Sequence, residues 1–394
     1  MPPQRTVVSM HDQIKAQPFR IAIPDKVLAD LKLRLKQTRW PIEAKAPPWT
    51  YGASLAYMRD TVDYWLNRYD WRKSEAALNR FPNYKATLGG KQVHFILERG
   101  SGPDPLPLIL THGWPGSVVE FLEVIEPLAH PERFGGNAAD GFTVVVPSLP
   151  GYGFSDPPDA PIAPREIAPL WSRLMLDVLG CDRYVAQGGD WGGIVTSWLA
   201  LDHPERLKAI HLNIVGFNPE IPDSDPLTAE EEDWQRRNAA RRDGEIAYHQ
   251  INGTKPQTLS YGLTDSPVGC AAWILEKFHG WSVPGRDVAP PFDRDHLLAN
   301  VMLFWLNGSN AAAWLYKSLL DGSGRRLPPG RFVDIPTAML MFPDDIAVAA
   351  PDRWIKRSYN LVQRHDAPSG GHFAAFENGP LFVEDVRGFF RPFR

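Results

Sequence analysis

The chain has 394 residues, with 42 basic and 46 acidic side chains and a formal charge of −4, which excludes a basic nucleic-acid footprint. Apolar residues make up 43%, enough to bury a core and too many for a charged disordered chain. Cys181 and Cys270 are the only cysteines, so no disulfide framework is expected. No apolar run reaches the ~18–20 residues of a membrane span. Met1-Pro2-Pro3-Gln4-Arg5 leads into polar residues with no apolar signal segment. The expected location is therefore the cytoplasm, where thiols stay reduced. The 38 prolines and 14 tryptophans point to many rigid turns and an aromatic core or pocket.

In chain order, residues 1–18 are polar and expected to be loosely held. Pro24-Asp25 opens a helix pattern over Lys26–Thr38, closed by Pro41. A second runs over Ser54–Tyr69, and the segment carries no catalytic cluster, so it reads as a structural helical arm over 1–95. The period then changes to strands at Val93–Leu97, Leu106–Thr111, Phe142–Pro147, Tyr184–Gln187 and Leu207–Val215. Helix patterns at Val118–Leu128, Ile167–Leu179 and Ile194–Leu201 lie between them. That alternation predicts an α/β fold with a mostly parallel sheet, its first part over 96–216. Residues 217–328 break the rhythm with charged Glu230–Arg242 and apolar Asn300–Leu320, a helical insertion expected to form a lid. Strands resume at Thr337–Phe342 and Leu361–Arg364, giving the second part of the core over 329–394.

The sharpest motif is Gly188-Gly189-Asp190-Trp191-Gly192-Gly193, between a predicted strand and a predicted helix. Small residues flanking a central side chain suit a strained nucleophile elbow, which presents that side chain at a helix N-terminus. Asp190 at the centre is ionised near neutral pH and would attack carbon to form an ester. The bland alternative is a glycine-rich turn with an N-capping Asp. His112-Gly113-Trp114-Pro115-Gly116-Ser117 follows strand Leu106–Thr111, where such folds place an oxyanion donor. Pro115 lacks an N–H, so the expected donors are the backbones of Trp114 and Trp191. Ser369-Gly370-Gly371-His372-Phe373 supplies the base, His372, in the chain order nucleophile, acid, histidine. The acid is expected in Phe342-Pro343-Asp344-Asp345; Asp345 is preferred over Asp344, with Asp366 and Glu377 less favoured. No metal-ligand spacing or Walker loop is present. Gly151-Tyr152-Gly153 reads as a structural turn.

With these motifs the chain resembles epoxide hydrolases of the α/β-hydrolase fold, in the microsomal and juvenile-hormone branch and its bacterial relatives. The resemblance runs from about residue 18 to the C-terminus. It rests also on Phe19-Arg20-Ile21 to Trp40-Pro41, Trp49-Thr50-Tyr51-Gly52, Pro147-Ser148-Leu149-Pro150-Gly151-Tyr152-Gly153-Phe154-Ser155, Asp265-Ser266-Pro267-Val268-Gly269 and Gly370-Gly371-His372-Phe373-Ala374-Ala375. It implies two lid tyrosines that hold the epoxide oxygen, falling by motif context on Tyr248 and Tyr316, with Tyr261 as the fallback. It also implies an ester on Asp190 hydrolysed by water that His372–Asp345 activates, no cofactor, and a small apolar epoxide and water as the reacting partners. Microsomal relatives carry Glu where this chain has Asp345, and their membrane-spanning start is not carried over. The rival reading is a haloalkane dehalogenase, which shares an Asp nucleophile followed by Trp but needs no tyrosine donors. A non-catalytic binder is disfavoured by the intact Asp190, Asp345 and His372, and a serine esterase by the lack of an elbow serine. A homodimer through the arm, the identity of the epoxide, and a detoxifying or biosynthetic role stay open.

Overall fold

The computed structural model describes residues 16–283, 290–308 and 311–394. Among them nine strands form one sheet. They are β1 (Gln17–Phe19), β2 (Asn83–Leu88), β3 (Lys91–Glu98), β4 (Leu106–Thr111), β5 (Phe142–Pro147), β6 (Tyr184–Gly188), β7 (Leu207–Leu212), β8 (Val333–Met341) and β9 (Tyr359–Asp366). Their spatial order is β1-β2-β3-β5-β4-β6-β7-β8-β9. The first three pairings, β1–β2, β2–β3 and β3–β5, are antiparallel, and every pairing from β5 onward is parallel. This is the mostly parallel α/β sheet that the alternating pattern predicts. Its central strands read as continuous apolar runs because helices cover both faces: β6 is buried throughout, and β4 and β5 each expose only their second residue in part.

The front of the chain is less purely helical than its sequence suggests. Helices Asp25–Lys36 and Leu55–Asn67 match the periodic patterns, but a further helix, Trp71–Leu78, follows, and β1 and β2 extend the sheet. Asn-Tyr-Lys-Ala-Thr-Leu in β2 carries too few apolar residues to stand out. It is a strand because Gly89 and Gly90, at φ of 59° and 79°, turn it back onto β3. Of the polar N-terminal stretch, residues 1–15 lie outside the described residues, while Gln17 and Pro18 belong to β1. Strand β7 ends at Leu212, short of the expected Val215. There Asn213 leaves the ladder: its N–H goes to the Gly188 carbonyl, and its side chain bridges Gln187 and the Leu340 carbonyl.

The insertion after β7 contains helices Ala229–Asp243, Ala247–Thr254, Pro256–Asp265, Pro267–Gly280 and Arg294–Leu306, then a short helical stretch over 311–320. The apolar Asn300–Leu320 run is thus two segments rather than one. Asn300 ties this cover to the loop after β4, accepting from the Ser117 hydroxyl and donating to the Pro115 carbonyl, each at 2.7 Å. The Trp281 carbonyl accepts the His372 N–H at 2.8 Å, a second tie beside the loop after β9. The insertion therefore roofs the C-terminal ends of the parallel strands, where ligands bind in folds of this kind.

Candidate active site

β6 ends at Gly188, and the helix Asp190–Asp202 starts two residues later. Asp190 at the bend has a φ of 48°, in a region that costs a non-glycine residue about 1–2 kcal/mol. Neighbouring glycines let the bend close. A Cβ on Gly192 would overlap the Thr111 carbonyl, and one on Gly113 would overlap the Asp190 side chain itself. The Trp114 N–H donates to Asp190 Oδ1 at 2.7 Å, so the loop after β4 meets the carboxylate where the motif spacing places it. Trp191 is the second residue of the helix, and its N–H is one of those left without an intrahelical acceptor. His112 builds the loop rather than reacting. Its Nδ1 donates to the Gly113 carbonyl, its Nε2 accepts the Leu149 N–H, and burial lowers it to about 4.

The structure brings the three expected polar residues together. His372 Nδ1 lies 2.8 Å from Asp345 Oδ1, and His372 Nε2 lies 3.3 Å from Asp190 Oδ2 without hydrogen-bond alignment. Asp345, not Asp344, faces the imidazole; the Asp344 N–H instead holds the Gly370 carbonyl. Asp366 closes β9 and is paired with Arg364. Glu377 accepts from the Gly371 and Phe373 N–H groups, so it braces the histidine loop, and burial pushes it up to about 7. Burial alone would lower His372, but the carboxylates of Asp345 and Asp190 outweigh it and hold the imidazole well above its ordinary value.

Tyr248 and Tyr316 come down from the cover onto the same place. Tyr248 stacks on the Trp114 ring at 4.9 Å, and Tyr316 stands edge-on to Trp191 at 4.9 Å and to Trp114 at 5.7 Å. Both phenols are raised, mainly by burial, so they stay protonated donors. Tyr261, the fallback, is 72% exposed on the helix Pro256–Asp265, outside the site. The chamber lined by Asp190, Tyr248, Tyr316 and His372 has a volume of about 160 Å³. Among the described residues no group of three or more His, Cys, Asp or Glu could hold a metal ion.

One residue that the motifs did not single out also belongs here. Behind Asp190 lies a cavity of about 20 Å³ lined by Glu120, Thr111, Gln187 and His372, about the size of one water. Thr111 Oγ1, Gln187 Oε1 and His372 Nε2 are buried without partners. Burial pushes the Glu120 carboxyl up to about 8, with Asp190 adding to the rise and His372 opposing it. The available signal was a lone carboxylate inside the apolar run Val118-Val119-Glu120-Phe121-Leu122.

Comparison with known proteins places the chain in a family. Residues 16–121 match the family model described as epoxide hydrolase N terminus, and residues 107–257 match the alpha/beta hydrolase fold. A Stigmatella aurantiaca protein, an epoxide hydrolase by name, is 42% identical over 379 residues, covering 96% of this chain and 85% of that protein. Juvenile hormone epoxide hydrolase 1 of Ctenocephalides felis is 32% identical over 398 residues, covering 95% and 85% respectively. The solved structure of the Aspergillus niger epoxide hydrolase superposes with a TM-score of 0.82 at 30% identity, covering 96% of this chain and 97% of that one. These matches give no support to the dehalogenase reading. No helix among the described residues is long and apolar enough to cross a membrane.

Proposed function

The chain belongs to the epoxide hydrolases of the α/β-hydrolase fold, and from that membership we propose that it converts its epoxide to a vicinal diol through an ester on Asp190. The observation that carries this reading is the Asp190 carboxylate. It is held at a left-handed bend by the Trp114 N–H, with His372 Nε2 3.3 Å away. In the first step Asp190 attacks an epoxide carbon and the carbon–oxygen ring bond breaks. The oxygen takes a proton from the Tyr248–Tyr316 pair, general-acid help typically worth ~10²–10⁴-fold.

Alkylation removes the Asp190 charge that holds a proton on His372. The imidazolium, left with Asp345 alone, then falls toward its ordinary range, releases its proton to solvent and can act as a base, and it takes a proton back from solvent once the Asp190 carboxylate is restored. The cavity between Glu120 and His372 is the place for the attacking water. His372 takes a proton from that water, whose oxygen adds to the ester carbonyl carbon. The Trp114 and Trp191 N–H groups stabilise the oxyanion, each such donor being worth about 10²–10³-fold. Collapse expels the diol oxygen, which takes the proton from His372. The proton of the restored Asp190 carboxyl returns to the tyrosinate.

The test is intact-protein mass measured during turnover of styrene oxide. Asp190→Ala should give no diol, and His372→Gln should accumulate a protein one substrate mass heavier. Steady multiple turnover by His372→Gln would refute the assigned base.

A further inference from the structure

We propose that the epoxide this enzyme is built for carries a carboxylate, which Arg242 and its cationic neighbours receive at the mouth of the site. The inference rests on the epoxide chemistry above and names a substrate class for it. The site chamber of about 160 Å³ shares Asn218, Arg242, His249, Leu319 and Arg325 with an outer chamber of about 790 Å³. The two therefore meet across a wall that carries two arginines. Arg242, Arg325 and Arg326 line the outer chamber against a single carboxylate, Glu220, at its exposed rim.

The state of these groups supports a ligand. The half-buried Arg242 guanidinium has no hydrogen bond or ion pair among the described residues, whereas other half-buried arginines, such as Arg357, Arg364 and Arg387, are bonded. Arg325 is fixed in place by donating to the carbonyls of Val215 and Gly216. His249 is buried with Nδ1 unpartnered, between the tyrosines and this mouth. Burial and the two neighbouring arginines lower it, so it stays neutral and leaves the positive charge to the arginines. Ile214, Val215, Leu319 and Ile346 give apolar surface to the same chamber that holds the nucleophile. An apolar body with an acidic end fits that sequence of surfaces. The cations also answer an electrostatic need, because an anionic substrate must approach the negative Asp190.

The test uses ω-epoxyalkanoic acids of increasing chain length and their methyl esters, with styrene oxide as reference. At the best length the acid should exceed its ester in kcat/KM by about tenfold, the scale of one charge-assisted hydrogen bond in a half-buried site. That preference should shrink at high salt. Arg242→Gln should collapse the acid-to-ester ratio toward one, and Arg242→Lys should restore part of it. Turnover of styrene oxide together with equal acid and ester rates at every length would overturn the proposal and leave the epoxide chemistry standing. No diol from any of these compounds would overturn both.

Discussion

Glu120 holds its proton up to about pH 8 because burial disfavours the carboxylate, whereas an unfolded glutamate loses it near 4.5. Between those values the native state binds more protons, so the stability this group contributes is full below pH 4.5 and is lost as pH rises through 8. Glu120→Gln should therefore gain melting temperature relative to the parent as pH is raised from 5 to 9. A difference that stays constant over that range would remove Glu120 from the account. The tyrosines make a separate prediction at the same scale. Tyr248→Phe combined with Tyr316→Phe should slow formation of the Asp190 ester by ~10²–10⁴-fold. Rapid-mixing measurements should find ester hydrolysis slowed far less; equal slowing of both steps would argue against a donor role. The proposed nucleophile and base could be singled out because the elbow and the Gly-Gly-His loop are local backbone patterns. Glu120 was not, since its chemistry comes from neighbours 67 to 252 residues away in the chain: Gln187 and His372.

The parallel strands β4 and β5 have the ends that their apolar runs predict, because full burial on both faces leaves an unbroken hydrophobic signature. Strand β2 had no such signature, since it sits near the antiparallel edge and needs only its β3 partner and the Gly89-Gly90 turn. The roof over the site depends on Arg294–Leu306, whose Asn300 side chain is 1% exposed and bonded to Ser117 and Pro115. Asn300→Ala would strand the buried Pro115 carbonyl and Ser117 hydroxyl, a cost of about 1–3 kcal/mol. Chemical denaturation should show that loss. Turnover should fall as well, because the loop that holds Asp190 through Trp114 is anchored at this point. A variant of unchanged stability would mean that the two bonds contribute nothing.

Across the whole molecule, the segment after β7 is clamped to the second half of the core by charge as well as by apolar contact. Glu231, fully buried, accepts from Arg357 at 2.7 Å and 3.0 Å, and Arg357 also holds Asp225. Arg357, with help from burial-opposing bonds to Thr228, holds the Glu231 carboxyl down at about 2. Here the sign is opposite to that of Glu120: the stabilisation is present above pH 4.5 and is lost as pH falls through 2. Arg357→Ala should cost up to about 3–5 kcal/mol at neutral pH, because it removes the main partner of a buried charge and leaves only the longer contact of 3.6 Å to Arg353. Glu231→Gln, which keeps the shape, should flatten the acid limb of stability against pH between 4.5 and 2. A parallel acid limb in both proteins would show that the clamp does not set acid stability.

The sequence by itself determined the α/β alternation, the elbow at Asp190, the histidine loop and the glycine-rich turn after β4. Each is written in the periodicity or glycine spacing of a few consecutive residues, which local sterics translate directly into backbone. Only the tertiary structure decided that Glu120 and Arg242 line the site; it also brings Asp345, preferred in sequence over Asp344, to His372, and sets Tyr248 and Tyr316, chosen by motif context, in a chamber that Tyr261 lies outside. Those outcomes depend on which side chains share a space after distant segments pack, and on how far burial removes them from water. No pattern along the chain encodes either quantity.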